Sequence, residues 1–495
     1  MRMPRTTSVS GIEVSVDHWV GGERLASDAT FPDISPLDQQ VLANVARGGP
    51  REVSAAVDAA SAAFPQWAAT PRTERAALLH AVAEGIEKRV DDLALVETLD
   101  NGGLLRSHRR SVIPRAAYNF HFFADFLLQL GHEDFETRGH RNHISWQPAG
   151  VTAVITPWNA PLMLATWRVA PALAAGNTVV LKPPEWAPLT ASLLADITAE
   201  AGLPPGVFNV VQGIGEEAGA ALVRDPRVRR IAFTGSVATA RAIGHAAAEN
   251  VIPVSFELGG KNPFIVFPDA DLDLAVRHAV DQYDNAGQVC LAGTRLYVAD
   301  AVYDEFLERF LQAAAAWRVG DPRSEDVDMG PQIHPDHLAR IDGYVRRAKA
   351  AGATVLLGGG PHPELGGLYY QPTLLTNVAD DSEINREEVF GPVIVLHRFT
   401  DEDEVIRRAN DNIYGLAAMV FTGDRSRAER VADRLVAGTV WVNCFYVRDL
   451  RAPFGGARLS GIGREGGTWS FDFYAEVKNT VTAPSGWLIK EANGG

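Results

Sequence analysis

The chain has very little cysteine: Cys290 and Cys444 are its only two among 495 residues. Two cysteines cannot build a disulfide framework or a cysteine-based metal centre, and such sparing use predicts a reducing compartment, the cytoplasm. Long apolar runs are missing as well. The most apolar stretch, 164–181, is broken by Arg168, Pro171, Gly176 and Asn177, and residues 1–11 lack the apolar centre of a secretory signal. Neither a membrane span nor export is expected. Positive charge is in deficit, with 46 Lys and Arg against 61 Asp and Glu and a net charge of −15. That balance opposes a broad surface for nucleic acid or anionic membrane, yet leaves room for one local basic pocket. The 13 histidines supply no zinc-protease helix motif. His334 and His337 share an HxxH, but Pro335 lies between them and no third ligand follows, so no metal is expected.

The remaining composition is that of a soluble enzyme: 46% hydrophobic, 22% charged, without a biased tract long enough to predict disorder. A chain of this length exceeds one compact core and predicts two large lobes with a cleft between them. Residues 50–130 carry helical periodicity, seen in Val53, Ala56, Val57, Ala60 and Ala63, then over 76–99 and 116–130. From Val151 the pattern changes to short apolar runs, each ended by Gly or Pro and followed by a helical stretch: 151–156, 178–181, 208–211, 231–233 and 254–256. A second series follows at 263–267, 294–298, 393–399, 419–422 and 439–443. Alternating strands and helices predict an α/β fold with two parallel-sheet lobes, whose ligands bind beyond the C-terminal ends of the strands. Segments 143–147 and 477–483 read as strands outside both series, paired with each other or with another subunit.

Three segments at predicted strand ends hold the parts of an acyl-transfer site: Asn159 in Pro157-Trp-Asn-Ala-Pro161, Glu257 in Glu257-Leu-Gly-Gly260, and Cys290 in Gly287-Gln-Val-Cys290. A thiolate is a strong nucleophile, an amide donates to a developing oxyanion, and a carboxylate serves as base toward water. Alone, each residue has a plainer reading as a buried thiol, a turn asparagine or a solvated charge. Their joint presence is what carries weight.

Those segments, in that order, resemble the aldehyde dehydrogenase superfamily. Lys182-Pro-Pro-Glu185, Phe233-Thr-Gly-Ser236, Glu388-Val-Phe-Gly-Pro392, Asn410-Asp-Asn-Ile-Tyr-Gly415 and Pro453-Phe-Gly-Gly456 extend the likeness across residues 20–483. The resemblance implies a Rossmann-like NAD lobe (1–130 and 151–257), a catalytic lobe (258–460) and a small β oligomerisation element (131–150 and 471–490) of a homodimer or homotetramer. It implies Cys290 as nucleophile, Asn159 with the Cys290 N–H as oxyanion donors, Glu257 as base for the hydrolytic water, and Lys182 beside them. Cofactor contacts implied are Thr156, Pro157, Trp158, Lys182, Glu185, Gly215, Phe233, Gly235, Ser236, Leu258, Gly259, Glu388 and Phe390.

Pattern matching alone points elsewhere for the pyrophosphate. Gly213-Ile-Gly215-Glu-Glu-Ala218 fits GxGxxA, but no acid follows at the end of the next strand, Ile231-Ala-Phe-Thr-Gly-Ser236. The resemblance puts the pyrophosphate at the helix after Ser236 instead, where free N–H groups favour an anion. Two departures from the family pattern are Ala240, where a Gly is usual, and Arg458, where a Lys is common; Arg458 is expected to change a surface contact near the oligomer region. Cys444 reads as packing. Within the superfamily, 446–454, 460–467 and 471–474 look most like semialdehyde dehydrogenases of aromatic catabolism acting on 5-carboxymethyl-2-hydroxymuconic, 2-hydroxymuconic or 2-aminomuconic semialdehyde. Betaine aldehyde dehydrogenases come second, and Glu257 argues against a CoA-acylating enzyme. A carboxylate-bearing aldehyde is therefore expected, held by Arg115, Arg448 and Arg451.

Overall fold

A computed structural model of the chain describes residues 5–484. Its described residues form two large sheets. The first has eight strands in the order Gly461–Ile462, Val254–Leu258, Val228–Gly235, Val151–Ile155, Thr178–Lys182, Phe208–Val210, His18–Val20 and Glu23–Leu25. The central five are parallel, and antiparallel strands close both edges. Val151–Ile155 and Thr178–Lys182 are buried along their whole length, which explains their unbroken apolar character: helices cover both faces of a parallel sheet. The strand order reverses around Val151–Ile155, so Asn159 emerges at the switch point, where ligands bind in such sheets.

The second sheet runs Thr354–Leu357, Thr373–Thr376, Val393–Phe399, Arg295–Ala299, Pro263–Val266, Ala417–Phe421 and Thr439–Val442. Only its Thr354–Leu357 edge is antiparallel. Leu258 ends a strand of the first sheet and Pro263 begins one of the second, so the chain crosses between sheets in four residues, Gly259-Gly-Lys-Asn262. A third sheet pairs Ala475–Thr482 with His140–Pro148, which pairs in turn with Glu133–Thr137. Thr480 lies opposite His143 and Glu476 opposite Gln147, so the two outlying strands find each other within one chain. Residues 1–4 of the expected first lobe and 485–490 of the expected outlying element fall outside the described residues.

The helical stretch expected over 76–99 is two helices, Arg72–Glu87 and Val90–Asn101, because Arg89 leaves helical geometry at φ −118° and ψ 21°. Helix Ile113–Gln129 buries Phe120, Phe123, Ala124 and Leu127 against Arg72–Glu87. The hairpins Thr6–Val9/Ile12–Ser15 and Thr30–Ile34/Val41–Ala46 carried no recognisable signal, since strands of four to six residues are too short to establish alternation. Among the described residues no helix is long and apolar enough to cross a membrane.

One buried asparagine ties the third sheet to the first. Asn177 Oδ1 accepts from the N–H groups of Ala149 (2.7 Å) and Gly150 (3.1 Å), and its Nδ2 donates to the Tyr474 carbonyl at 2.6 Å. The side chain is fully buried, so an alanine would strand three backbone groups that water cannot reach. Asn177→Ala should cost roughly 3 kcal/mol or more. Asn479, which bonds the Asn142 side chain on the open face of the third sheet, should tolerate alanine with little loss. Melting temperatures of the two variants provide the comparison, and equal values would contradict the tie.

Candidate active site

Cys290 follows a distorted segment, Asp281–Gly287, in which Asn285 (φ 50°), Ala286 (φ 56°) and Gly287 (φ 71°) are successively left-handed. Three such residues are costly for non-glycine side chains, and hydrogen bonds hold them in place. Asn285 Nδ2 donates to the Asn159 carbonyl (3.0 Å), and Asn159 Nδ2 donates to the Gln288 carbonyl (2.9 Å). The Asn159 amide thus spends one N–H on orienting the cysteine loop and keeps a second on the same nitrogen. Asn262 Nδ2 donates to the Cys290 and Ala292 carbonyls at 2.8 and 3.0 Å, while its Oδ1 accepts from Ala417 N–H. Desolvation pushes the half-buried Cys290 thiol up to about 12; Glu388 and Glu257 add to the rise and Arg448 opposes it.

Glu257 ends the strand Val254–Leu258, and neither of its buried carboxylate oxygens has a hydrogen-bond partner. Burial raises its pKa well above the usual carboxylate range, Glu465 raises it further, and Arg168 and Arg448 pull it down. Gly455 leaves the carboxylate its space, because a Cβ there would stand 2.7 Å from Glu257 Oε1. Beneath it lies a pair that sequence reasoning missed. Arg168, marked only as an interruption of an apolar run, is fully buried and ion-paired with Glu465, to which Trp167 Nε1 also donates. Its guanidinium also donates to Ser255 Oγ (3.0 Å), Thr234 Oγ1 (3.0 Å) and the Phe233 carbonyl (3.2 Å).

The three expected substrate arginines separate. The Arg115 guanidinium lies 5.6 Å from the centres of the Trp167 and Tyr118 rings, and that of Arg448 lies 4.9 Å from Trp167 and 3.9 Å from Phe454. Among the described residues neither forms an ion pair, and desolvation together with Arg448 lowers Arg115 to about 10. Two cations therefore share one indole, and the Arg448 charge is felt at Cys290. Arg451 is placed differently: 78% of its side chain is exposed, and it grips Asp449 at 2.6 Å. The loop turns it outward, so the structure does not bring it to Trp167 with the other two.

Lys182 and Glu185 pair at 2.6 Å at the end of Thr178–Lys182, facing Gly215, where an added Cβ would be 4.0 Å from Glu185. The Lys182 ammonium is thus engaged by Glu185 at the end of its strand. Gly213 (φ 148°) opens a short π-helical turn, Gly215–Gly219, which has no long helix to focus an anion. Helix Val237–Glu249 is a better anion site: Ser236 caps only the Thr239 N–H, and Phe233 closes against Gly235 where a Cβ would stand 2.5 Å from Cζ. Ala240 lies inside this helix, buried against the first sheet, with its N–H on the Ser236 carbonyl. Thr156 Oγ1 is buried without a partner near the same strand end.

Glu388 reaches from the second lobe and accepts from the Gly260 N–H at 3.1 Å. A Cβ on Gly259 would overlap its carboxylate. Desolvation lifts Glu388 to about 7, and nearby Lys261, buried with no partner for its Nζ, is pushed down to about 7 by burial and Arg295. Phe390, two residues on, is left-handed at φ 59° and meets Trp158 edge-on at 5.3 Å. Arg458 lies at the surface and donates to the carbonyls of Asn410 and Asn412. Cys444 packs beside the core of the second sheet.

Residues 24–480 match the model of the aldehyde dehydrogenase family. The chain is 46% identical to a 2-hydroxymuconic semialdehyde dehydrogenase of Pseudomonas sp. (strain CF600), over 94% of this chain and 98% of that one. It is 42% identical to a 2-aminomuconic semialdehyde dehydrogenase of Danio rerio, with the same shares covered. An indole-3-acetaldehyde dehydrogenase solved in complex with NAD+ superposes with a TM-score of 0.94 at 37% identity, covering 95% of this chain and 97% of that one.

The Arg168–Glu465 pair invites a direct test. Removing one member of a buried pair leaves an uncompensated charge, at a cost of roughly 3 to 5 kcal/mol. Arg168→Met should therefore lower the melting temperature more than the double variant Arg168→Met/Glu465→Gln, in which no lone charge remains. A double variant as unstable as the single one would mean that packing, not charge balance, is what Arg168 supplies.

Proposed function

Since the chain belongs to the aldehyde dehydrogenase family, we propose that it oxidises a carboxylate-bearing semialdehyde, of the hydroxymuconic or aminomuconic kind, to the corresponding acid with NAD as acceptor. The observation that carries this substrate class is the pair of guanidiniums, Arg115 and Arg448, that meet Trp167 without an ion-pair partner among the described residues, with the Arg448 charge felt at Cys290. A guanidinium grips a carboxylate through two parallel bonds and fixes its orientation as well as its charge. Binding the far acid there directs the aldehyde carbon toward Cys290. The same two cations would repel the trimethylammonium of betaine aldehyde, which disfavours that reading.

In this reading the Cys290 thiol releases its proton to solvent, Sγ attacks the aldehyde carbon to form a thiohemiacetal, and the second N–H of Asn159 with the Cys290 backbone N–H holds the oxyanion. Donors aimed at such an oxygen contribute roughly 3 to 4 kcal/mol. NAD supplies the hydride acceptor. Loss of hydride from the thiohemiacetal leaves a thioester on Cys290; Glu257 then takes a proton from water, whose oxygen attacks the acyl carbon, and Cys290 leaves as the thiol. The residues fit the cofactor: Lys182 and Glu185 suit the adenosine ribose, the open N-terminus after Ser236 the pyrophosphate, and Glu388 the nicotinamide ribose. Thr156, Pro157, Trp158, Gly215, Phe233, Gly235, Leu258, Gly259 and Phe390 would wall the groove. Residues 1–130 and 151–257 would form the cofactor lobe and 258–460 the catalytic lobe. The third sheet, contributed by 131–150 and 471–490, would join subunits of a cytoplasmic homodimer or homotetramer. Its edge strand Ala475–Thr482 leaves Val477 and Val481 more than half exposed.

Glu257→Gln should release about one NADH per active site quickly and then turn over slowly, with acylated Cys290 visible by mass spectrometry. The wild-type hydrolytic step should slow as pH falls, because protonating Glu257 removes the base. That limb should lie above the usual carboxylate range and be absent from the variant. A burst-free variant with no acyl-enzyme would overturn the assignment.

Substrate charge is tested by initial rates. Arg115→Ala and Arg448→Ala should each lower kcat/KM for a semialdehyde acid by about 10- to 150-fold, with little loss on a neutral aldehyde of similar length. Arg451→Ala should stay near wild type, as its partner is Asp449. Equal losses on acidic and neutral substrates would assign the two arginines to structure.

A further inference from the structure

His334 and His337 bind no metal in the functional reading above, yet each occupies a junction. They open the helix Pro335–Ala350, His334 as its N-cap, accepting from the Asp336 N–H at 3.2 Å. The His334 ring stacks on Trp186, one residue beyond Glu185, at 4.4 Å and 3°. His337 is buried and meets Trp158 edge-on at 5.1 Å, one residue before Asn159. Its Nε2 lies 2.8 Å from the Phe390 carbonyl, which can only accept, so the ring carries its proton on Nε2. Burial holds His337 down at about 4, keeping it neutral. Three residues along the helix, Arg340 donates to the Glu388 carbonyl at 2.9 Å. Just before the helix, the Ile333 N–H donates to Gln288 Oε1 at 3.0 Å, tying the same turn to the cysteine loop.

We infer that His337 is a positioning residue for the cofactor site: its Nε2–H fixes the left-handed Phe390 carbonyl and so aims the Glu388 carboxylate at the nicotinamide ribose. His334 anchors the same turn to the adenosine side through Trp186. The clamp acts on the loop 388–392 because that loop has no slack elsewhere. A Cβ on Gly391 would stand 2.5 Å from Ile341 Cδ1, and one on Gly287, in the cysteine loop, would overlap Gly391. A left-handed phenylalanine persists only where its surroundings enforce it. His337 supplies the hydrogen bond in that enforcement, and Trp158 the packing.

The inference rests on Glu388 as a ribose ligand, so the experiment separates the two. NAD affinity is measured by fluorescence titration, without turnover, for His337→Leu, His337→Gln, Arg340→Met and Glu388→Gln. Alkylation of Cys290 by iodoacetamide without NAD reports whether the cysteine loop is intact. His337→Leu should raise the NAD Kd by about tenfold or more, and Arg340→Met should raise it less; His337→Gln, whose amide can still donate, should remain within about threefold of wild type. Alkylation should stay near the wild-type rate in His337→Leu, His337→Gln and Arg340→Met. An unchanged Kd in Glu388→Gln would refute the ribose assignment itself. A raised Kd in Glu388→Gln, with wild-type values in both His337→Leu and Arg340→Met, would overturn the clamp alone. If His337→Leu does not fold, Arg340→Met and the Gln rescue decide the question from the solvent side. Loss of Cys290 alkylation in His337→Leu would show a general collapse of the loop and also overturn the proposal.

Discussion

The close approach of Gly259 and Gly260 to Glu388 is the constraint on which the site depends. The chain leaves the first sheet at Leu258 and enters the second at Pro263, and within that span a carboxylate from the second lobe lies where a side chain would otherwise be. A side chain at 259 would force the end of the Glu388 side chain to move aside. The crossing is consequently short and stiff, and it brings together groups far apart in sequence. Glu257 stands on one side and Asn262 on the other, with Asn262 gripping the carbonyl of Cys290. A bulkier crossing would displace the Glu388 carboxylate from the Gly260 N–H.

The same crowding excludes water from several ionisable groups. Glu257, Glu465, Glu388 and Lys261 all lie far from their solvent behaviour, each principally through desolvation. Only Glu465 has a strong partner, Arg168. Glu257 has none, which is the difference expected between a structural carboxylate and the proposed base. A group that must accept a proton from water gains from an ionisation raised toward neutrality and loses if a guanidinium grips it. Arg168 lies close enough to temper the field at Glu257 but spends its hydrogen bonds on Glu465, Ser255, Thr234 and the Phe233 carbonyl.

Much of this was legible in the sequence because parallel sheets write themselves as short apolar runs ending in glycine or proline, and both series were read within a few residues of their true ends. The motif segments also lie where the strand pattern put them, with Glu257 on the strand Val254–Leu258 and Asn159 just after Val151–Ile155. Reading failed where function depends on who faces whom. Arg168 interrupts an apolar run and nothing nearby in sequence announces Glu465, 297 residues away. Arg448 and Arg451 stand three apart on one loop, yet one lies over Trp167 while the other pairs with Asp449. The GxGxxA turn satisfied a pattern but leads into a π-helical turn and a short helix, Ala220–Arg224, which provide little dipole to hold a phosphate.

As proposed substrate ligands, Arg115 and Arg448 would let one scaffold select a charged aldehyde without altering its chemistry. Neither sits on the strands that carry Glu257 or leads into Cys290; one comes from the helix Ile113–Gln129 and the other from the loop after Thr439–Val442. Loops and surface helices can change while the crossing at Gly259 keeps nucleophile, base and ribose carboxylate in place. Two guanidiniums sharing an indole repel each other, and desolvation with that repulsion already depresses Arg115. A bound carboxylate relieves the repulsion as well as forming hydrogen bonds, whereas a neutral aldehyde relieves nothing. In the proposed role, discrimination would come partly from the free enzyme, which holds two like charges close together until an anion binds.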